Sequence, residues 1–358
     1  MSSILGVHIL PQADLDDAFQ YITGALKPRL VVVLDELAFA RKLRTNAAYQ
    51  VPFVVHRTYN PNDHKFHETM SPEAWVAAHR THGADGVIVA CLNEPDGQSN
   101  LRRLAGWCAD VMRVAHDAGM RLALPNFSMG NPNEAAVAAG ELDALIEAFG
   151  RYPEHCLAVH EYANDNPQAE QPWHIRRYQF LWDRFRKLGA PIPQTLVTET
   201  GRDKGGGRDD GWRVYFNNDE TRYVRFLTPL AADYRMDKVP AAIYGWGPGF
   251  GWEPFNVANA PKVREALPEI SRIDEEIPPM PDYTFPGDDA AWQRGIYSST
   301  SAGGTNIRSQ PSTSGAKVGS LKLGAPGAWT STMISDGSGT WYALKLDDGV
   351  QGYVRSDV

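Results

Sequence analysis

Two acidic residues in this chain stand where an apolar segment gives way to a turn. Glu94 lies in Cys91-Leu-Asn-Glu-Pro-Asp-Gly97, after the run Gly86-Val-Ile-Val-Ala90, and Glu199 closes Thr195-Leu-Val-Thr-Glu-Thr200. One carboxylate at such a place is most simply a helix cap or the partner of a surface cation. Two that face each other across a cleft meet the needs of glycosidic-bond hydrolysis, in which one protonates the departing oxygen and the other attacks or activates water. Further polar residues close other apolar segments: His8, Asp35, His56, Arg57, Tyr59, Asn93, Asn126, Ser128, His160, Glu161, Tyr162 and Trp246. Whether they act together depends on the elements that carry them.

Those elements alternate in type. Strand-like segments at 6–10, 30–35, 53–59, 86–90, 121–125, 156–162, 195–200 and 241–246 are separated by helix-like segments. The helical segments fall at 14–26, 36–46, after Ser71-Pro-Glu, at 101–118, near 141–149, at 173–188 and near 221–234. Asp14 and Ser71 are placed to cap two of them, and Pro72 suits a first helical turn. About eight β-then-α units in some 260 residues predict an α/β fold, a (β/α)8 TIM barrel. A doubly wound sheet is the alternative, but no G-x-G-x-x-G follows an early strand. In a barrel all the polar strand ends open on one face, and the fourth and seventh strands, three positions apart around the ring, face across its mouth. Strand alternation puts His160 and Tyr162 on one side and Glu161 on the other, where an ion pair with a helix is expected.

Composition removes several classes. A net charge of -8 disfavours a nucleic-acid partner. No run reaches the roughly 18 apolar residues of a membrane span. The opening MSSILGVHILPQ shows no secretory signal features. Cys91, Cys108 and Cys156 lie in or beside apolar segments without C-x-x-C spacing, so buried free thiols are expected rather than a metal site. The chain changes character after the eighth unit. Residues 1–267 form the predicted barrel, 268–301 a Pro/acidic and Ser/Gly linker, and 302–358 a small all-β module with short alternating segments.

The ordered set Asn93-Glu94-Pro95, His160-x-Tyr162, Glu199 and Trp246, over roughly residues 5–265, resembles the retaining β-glycosidases of clan A. The resemblance implies Glu94 as acid/base, Glu199 as nucleophile, Asn93 on the sugar 2-hydroxyl, Tyr162 and His160 in the same subsite, and Trp246 as a platform beneath the sugar. His56 and Asn126 join the candidate substrate-binding residues. That family commonly has an Arg at the end of strand two; here Leu34-Asp35-Glu36 stands there, with Arg57 as the expected substitute. The implied double displacement needs no metal or cofactor. It calls for a raised pKa at Glu94 and for carboxyl groups about 5 to 5.5 Å apart, against about 6.5 to 9.5 Å for inversion. The glycine-rich stretch 201–212 is either a substrate lid or an inert insertion, and Phe250 and Trp252 are expected near the barrel mouth.

The C-terminal segments Asn306-Ile-Arg-Ser-Gln-Pro311, Trp341-Tyr342 and Gly352-Tyr-Val354 resemble a bacterial SH3 domain. That resemblance implies attachment to peptidoglycan or another envelope polymer, and an extracellular or envelope-directed protein. Three functions follow as expectations: a β-glycosidase acting on a polysaccharide, a hydrolase of peptidoglycan glycan strands, or a glycan-binding protein without catalysis.

Overall fold

A computed structural model describes residues 2–164, 166–167, 170–203, 207 and 210–273, and beyond them the backbone of six strands. Eight parallel strands close into a barrel. They are β1 (Leu5–Ile9), β2 (Leu30–Leu34), β3 (Phe53–Arg57), β4 (Ile88–Ala90), β5 (Arg121–Phe127), β6 (Cys156–Ala163), β7 (Thr195–Arg202) and β8 (Ala241–Trp246). The order around the ring follows the chain, and β8 pairs with β1. This is the barrel that the alternation of segments predicts.

Alternate residues fill its interior. Leu30, Val32, Val55, Ile88, Ala123, Cys156, Ala158, Leu196 and Ala242 form one buried cluster, large side chains beside small ones. Above them Leu10, Leu34, Tyr162, Tyr244 and Phe255 form a second cluster. The outer layer is helical. Asp14 accepts the amides of Asp16 and Asp17, and Ser71 accepts that of Ala74, as the caps predict. The helix Leu101–Asp117 buries Leu104, Cys108, Val111, Met112 and Ala115, one face at helical spacing. The three cysteines are free and buried. Among the described residues, no helix is long and apolar enough to cross a membrane.

Glu161 turns toward the helices, as alternation requires, but among the described residues it pairs with no cation. Its oxygens accept the amides of Arg176 at 2.9 Å and Tyr178 at 3.4 Å, and the Tyr234 hydroxyl at 3.1 Å. The expected ion pair is thus replaced by a cap on the helix Arg177–Lys187, which starts four residues later than the sequence predicts. Burial outweighs these donors and raises the Glu161 carboxyl to about 7.

Three strands depart from simple alternation near their C-terminal ends, through bulges that each insert one residue. On β5 the register passes from Pro125–Ala158 to Phe127–Val159, skipping Asn126, whose φ is 56°. On β7 it passes from Val159–Val197 to His160–Glu199, skipping Thr198. On β8 it passes from His8–Tyr244 to Ile9–Trp246, skipping Gly245 with φ of 97°. Every residue beyond a bulge faces the opposite way from the one alternation would give it.

The C-terminal unit spans residues 277–358. Its strands β9 (Trp292–Ile296), β10 (Thr305–Arg308), β11 (Lys317–Leu321), β12 (Pro326–Ser335), β13 (Thr340–Leu346) and β14 (Gln351–Arg355) form an antiparallel sheet in the order β9-β12-β13-β14-β10-β11. β9 lies inside the stretch that the sequence assigns to a linker. Likewise Arg272–Ile273 pairs with Ser2–Ser3, so the barrel unit continues past residue 267.

Candidate active site

Glu199 reaches the barrel interior because of the β7 bulge. Leu196 points inward, so plain alternation would send Glu199 out among the helices; the skipped Thr198 brings it level with inward-facing His160. Its carboxylate is buried among donors. Arg57 Nη1 donates to Oε1 at 2.8 Å and the Tyr162 hydroxyl donates to Oε2 at 2.8 Å. His160 Nδ1 lies 3.5 Å from Oε2, and His8 Nδ1 lies 3.6 Å from Oε1.

The supports of this carboxylate are themselves constrained. Arg57 shares the inward parity of Val55, and its guanidinium reaches Glu199; Leu34 closes β2. Asp63 holds the other end of the guanidinium at 3.4 Å. Burial raises the pKa of Asp63, and the charge of Arg57 partly offsets this. Burial, with the repulsion of Arg57 and His160, holds the His8 pKa well below its ordinary value, so the ring is neutral. Among the described residues, neither ring nitrogen of His8 has a hydrogen-bond partner. Burial and the neighbouring Glu199 push Tyr162 well up, which keeps its proton in place to donate.

Glu94 stands at the turn after β4 with φ of 50°, its amide donating to the carbonyl of Asn126 at 3.0 Å. Its side chain is 43% exposed, and Oε1 lies 3.1 Å from His160 Nδ1. One nitrogen therefore sits between the two carboxylates. Since it lies 3.1 and 3.5 Å from their oxygens, those oxygens are no more than the sum of the two, about 6.6 Å, apart. The pKa of Glu94 departs from expectation. Desolvation alone would raise it, but the hydrogen bond and charge of His160, together with Arg57, win and hold it below its ordinary value. The raised pKa expected of an acid is not present in the unliganded protein.

Three candidate residues are placed elsewhere. Trp246 lies beyond the β8 bulge and turns outward, fully buried, stacked on Tyr21 at 5.0 Å with the Arg264 guanidinium 5.0 Å from its ring. It is no platform for a sugar. His56 follows the outward parity of its strand and packs edge-on against His82 at 5.0 Å; burial and His82 lower its pKa to about 4. Asn126 is buried and its amide is spent on protein groups, so it offers nothing to a ligand. Asn93, by contrast, is half-buried, and its own buried carbonyl oxygen has no partner among the described residues.

The aromatic residues that do reach the mouth are Tyr244 and Trp252. Tyr244 packs edge-on against His8 at 5.1 Å and against Trp252 at 5.4 Å, and Trp252 is partly exposed. The sequence points to Trp252, and to His8 as a polar strand end, but not to Tyr244 or to Asp63 as neighbours of the carboxylates. The side chain of Phe250 and much of the stretch 204–209 lie outside the described residues. The far end of that stretch is anchored: Trp212 is buried, stacked on Tyr223 at 4.7 Å, and donates to the Phe255 carbonyl at 3.1 Å.

Residues 303–358 match the family model of the bacterial SH3 domain. A search of curated proteins gives no match. Among solved structures the chain is similar to an endo-β-1,4-glucanase from Xanthomonas axonopodis pv. citri, at 12% identity and a TM-score of 0.47 over 76% of this chain and 100% of that one. It is also similar to a GH128 (subgroup I) endo-β-1,3-glucanase from Amycolatopsis mediterranei in complex with laminaritriose, at 14% identity and a TM-score of 0.46 over 75% and 100%. A family 5 xyloglucanase from Paenibacillus pabuli aligns at 11% identity and a TM-score of 0.45 over 75% and 98%.

Proposed function

We propose that the barrel hydrolyses β-glycosidic bonds of a polysaccharide by double displacement. One observation carries this reading: two carboxylates, one from the turn after β4 and one from β7, flank a single histidine nitrogen, and the buried one is gripped by Arg57 and Tyr162. A structural carboxylate needs no second carboxylate beside it, and placing two together costs repulsion. Glu199, aimed by its donors, attacks the anomeric carbon while the proton of Glu94 passes to the leaving oxygen. Water then gives its proton to Glu94 and its oxygen to the sugar, which frees Glu199. The two oxygens that face His160 lie no more than about 6.6 Å apart, which admits the carboxyl separation of about 5 to 5.5 Å that goes with retention.

Around this centre, half-buried Asn93 adjoins Glu94, and Trp252 with Tyr244 offers an apolar surface. Residues 303–358 serve to tether the enzyme to an envelope polymer outside the cell. A second reading, hydrolysis of peptidoglycan glycan strands, keeps the same chemistry and draws on the bacterial SH3 match. Release of reducing ends from β-glucan, mannan and purified peptidoglycan distinguishes the substrates. Glu94→Gln and Glu199→Gln are each expected to lower turnover by about 100-fold or more. Unchanged turnover in both would refute the two roles.

A further inference from the structure

Asn126 touches both segments that carry the carboxylates. Its Nδ2 donates to the Leu92 carbonyl at 2.8 Å and to the Ala123 carbonyl at 3.1 Å, and its own carbonyl accepts the amide of Glu94 at 3.0 Å. Its Oδ1 accepts the hydroxyl of Thr198 at 2.7 Å, from the bulge residue just before Glu199. Both Asn126 and Thr198 are buried, so water does not compete for these bonds. The residue is itself a bulge, held at positive φ, a conformation that asparagine tolerates better than most side chains. Two carbonyls and one hydroxyl meet a planar group with two donors and one acceptor. Asp would turn an acceptor toward the carbonyls, Leu would satisfy none of the three, and Gln is a methylene too long.

We propose that Asn126 is a positioning residue that fixes the spacing between Glu94 and Glu199 by tying the β4 turn to the β7 bulge. The proposal rests on the hydrolytic reading for its consequence, though not for its geometry. Thr198→Val keeps the shape of the side chain and removes the hydroxyl, whose short bond is the tie to Asn126 at 2.7 Å and whose longer one reaches the Val159 carbonyl at 3.4 Å. Two readouts separate the questions: kcat and KM on the glycan that the wild type cleaves, and the titration midpoint of Glu94 followed by carboxyl 13C NMR, which needs no turnover.

The expected result for Thr198→Val is a shifted Glu94 midpoint and a kcat lower by about 10- to 100-fold with KM nearly unchanged. Thr198→Ser, which restores the hydroxyl, returns both to wild-type values. Asn126→Ala shifts the midpoint at least as far; if that variant does not fold, the Thr198 pair carries the test. The midpoint decides the positioning role. A Thr198→Val protein that melts earlier but keeps the wild-type midpoint overturns it, whatever its turnover. A shifted midpoint in a protein that cleaves no glycan leaves the tie standing and removes the hydrolytic reading instead.

Discussion

His160 places one nitrogen between two carboxylates, and this has a consequence for pH. Its hydrogen bond and charge, with Arg57, outweigh desolvation and hold Glu94 below its ordinary value. An acid that ionises early loses its proton early, so kcat/KM is expected to fall as pH rises through the acidic range. His160→Ala removes the largest opposing influence, which raises the Glu94 pKa and moves the basic limb of the profile to higher pH. A limb that stays put or moves down would show that His160 does not govern Glu94. At this scale much was legible. Strand parity turned Glu161 away from the cleft and Arg57 toward Glu199. The same parity turns His56 outward, because Val55 and Arg57 already claim the inner face.

The bulges govern the next scale up. Alternation alone would expel Glu199 from the barrel and admit Trp246; the inserted residues at Thr198 and Gly245 reverse both. A bulge is set by tertiary contacts, and Thr198 is a residue any strand accepts, so the β7 bulge left no mark in the sequence. Gly245 did leave one, as a glycine within an apolar strand. There the backbone is held at φ of 97°, and a Cβ would lie 2.6 Å from the Phe255 carbonyl oxygen. Gly245→Ala is therefore expected to cost about 1 to 3 kcal/mol or more, read from urea unfolding. A variant as stable as the wild type would mean that the bulge is not required. The C-terminal sheet teaches a related lesson, since Trp292–Ile296 pairs with residues 326–330 from within a Pro- and acid-rich stretch that lacks strand periodicity.

For the whole molecule, Glu161 links stability to pH. The folded protein holds this proton up to about 7, against an ordinary value of 4.5. Between those limits the folded state binds more protons than the unfolded chain, so stability is full at acidic pH and declines as pH rises through 7. At about 1.4 kcal/mol per unit the decline amounts to about 3 kcal/mol. Glu161→Gln, which cannot ionise, is expected to flatten that slope in urea unfolding at pH 5 and 8; an unchanged slope assigns it to other groups. The rhythm of strands and helices made the barrel legible at this scale, because eight similar units repeat one signal. The central claim is that Glu94 and Glu199 work as a retaining pair, and one measurement meets it directly. Proton NMR can follow the first-formed anomer during cleavage of the glycan that releases reducing ends. The account expects the β-anomer to appear first with the wild type, and no product on the same timescale with Glu199→Gln. An α-anomer appearing first, or undiminished cleavage by that variant, would contradict it.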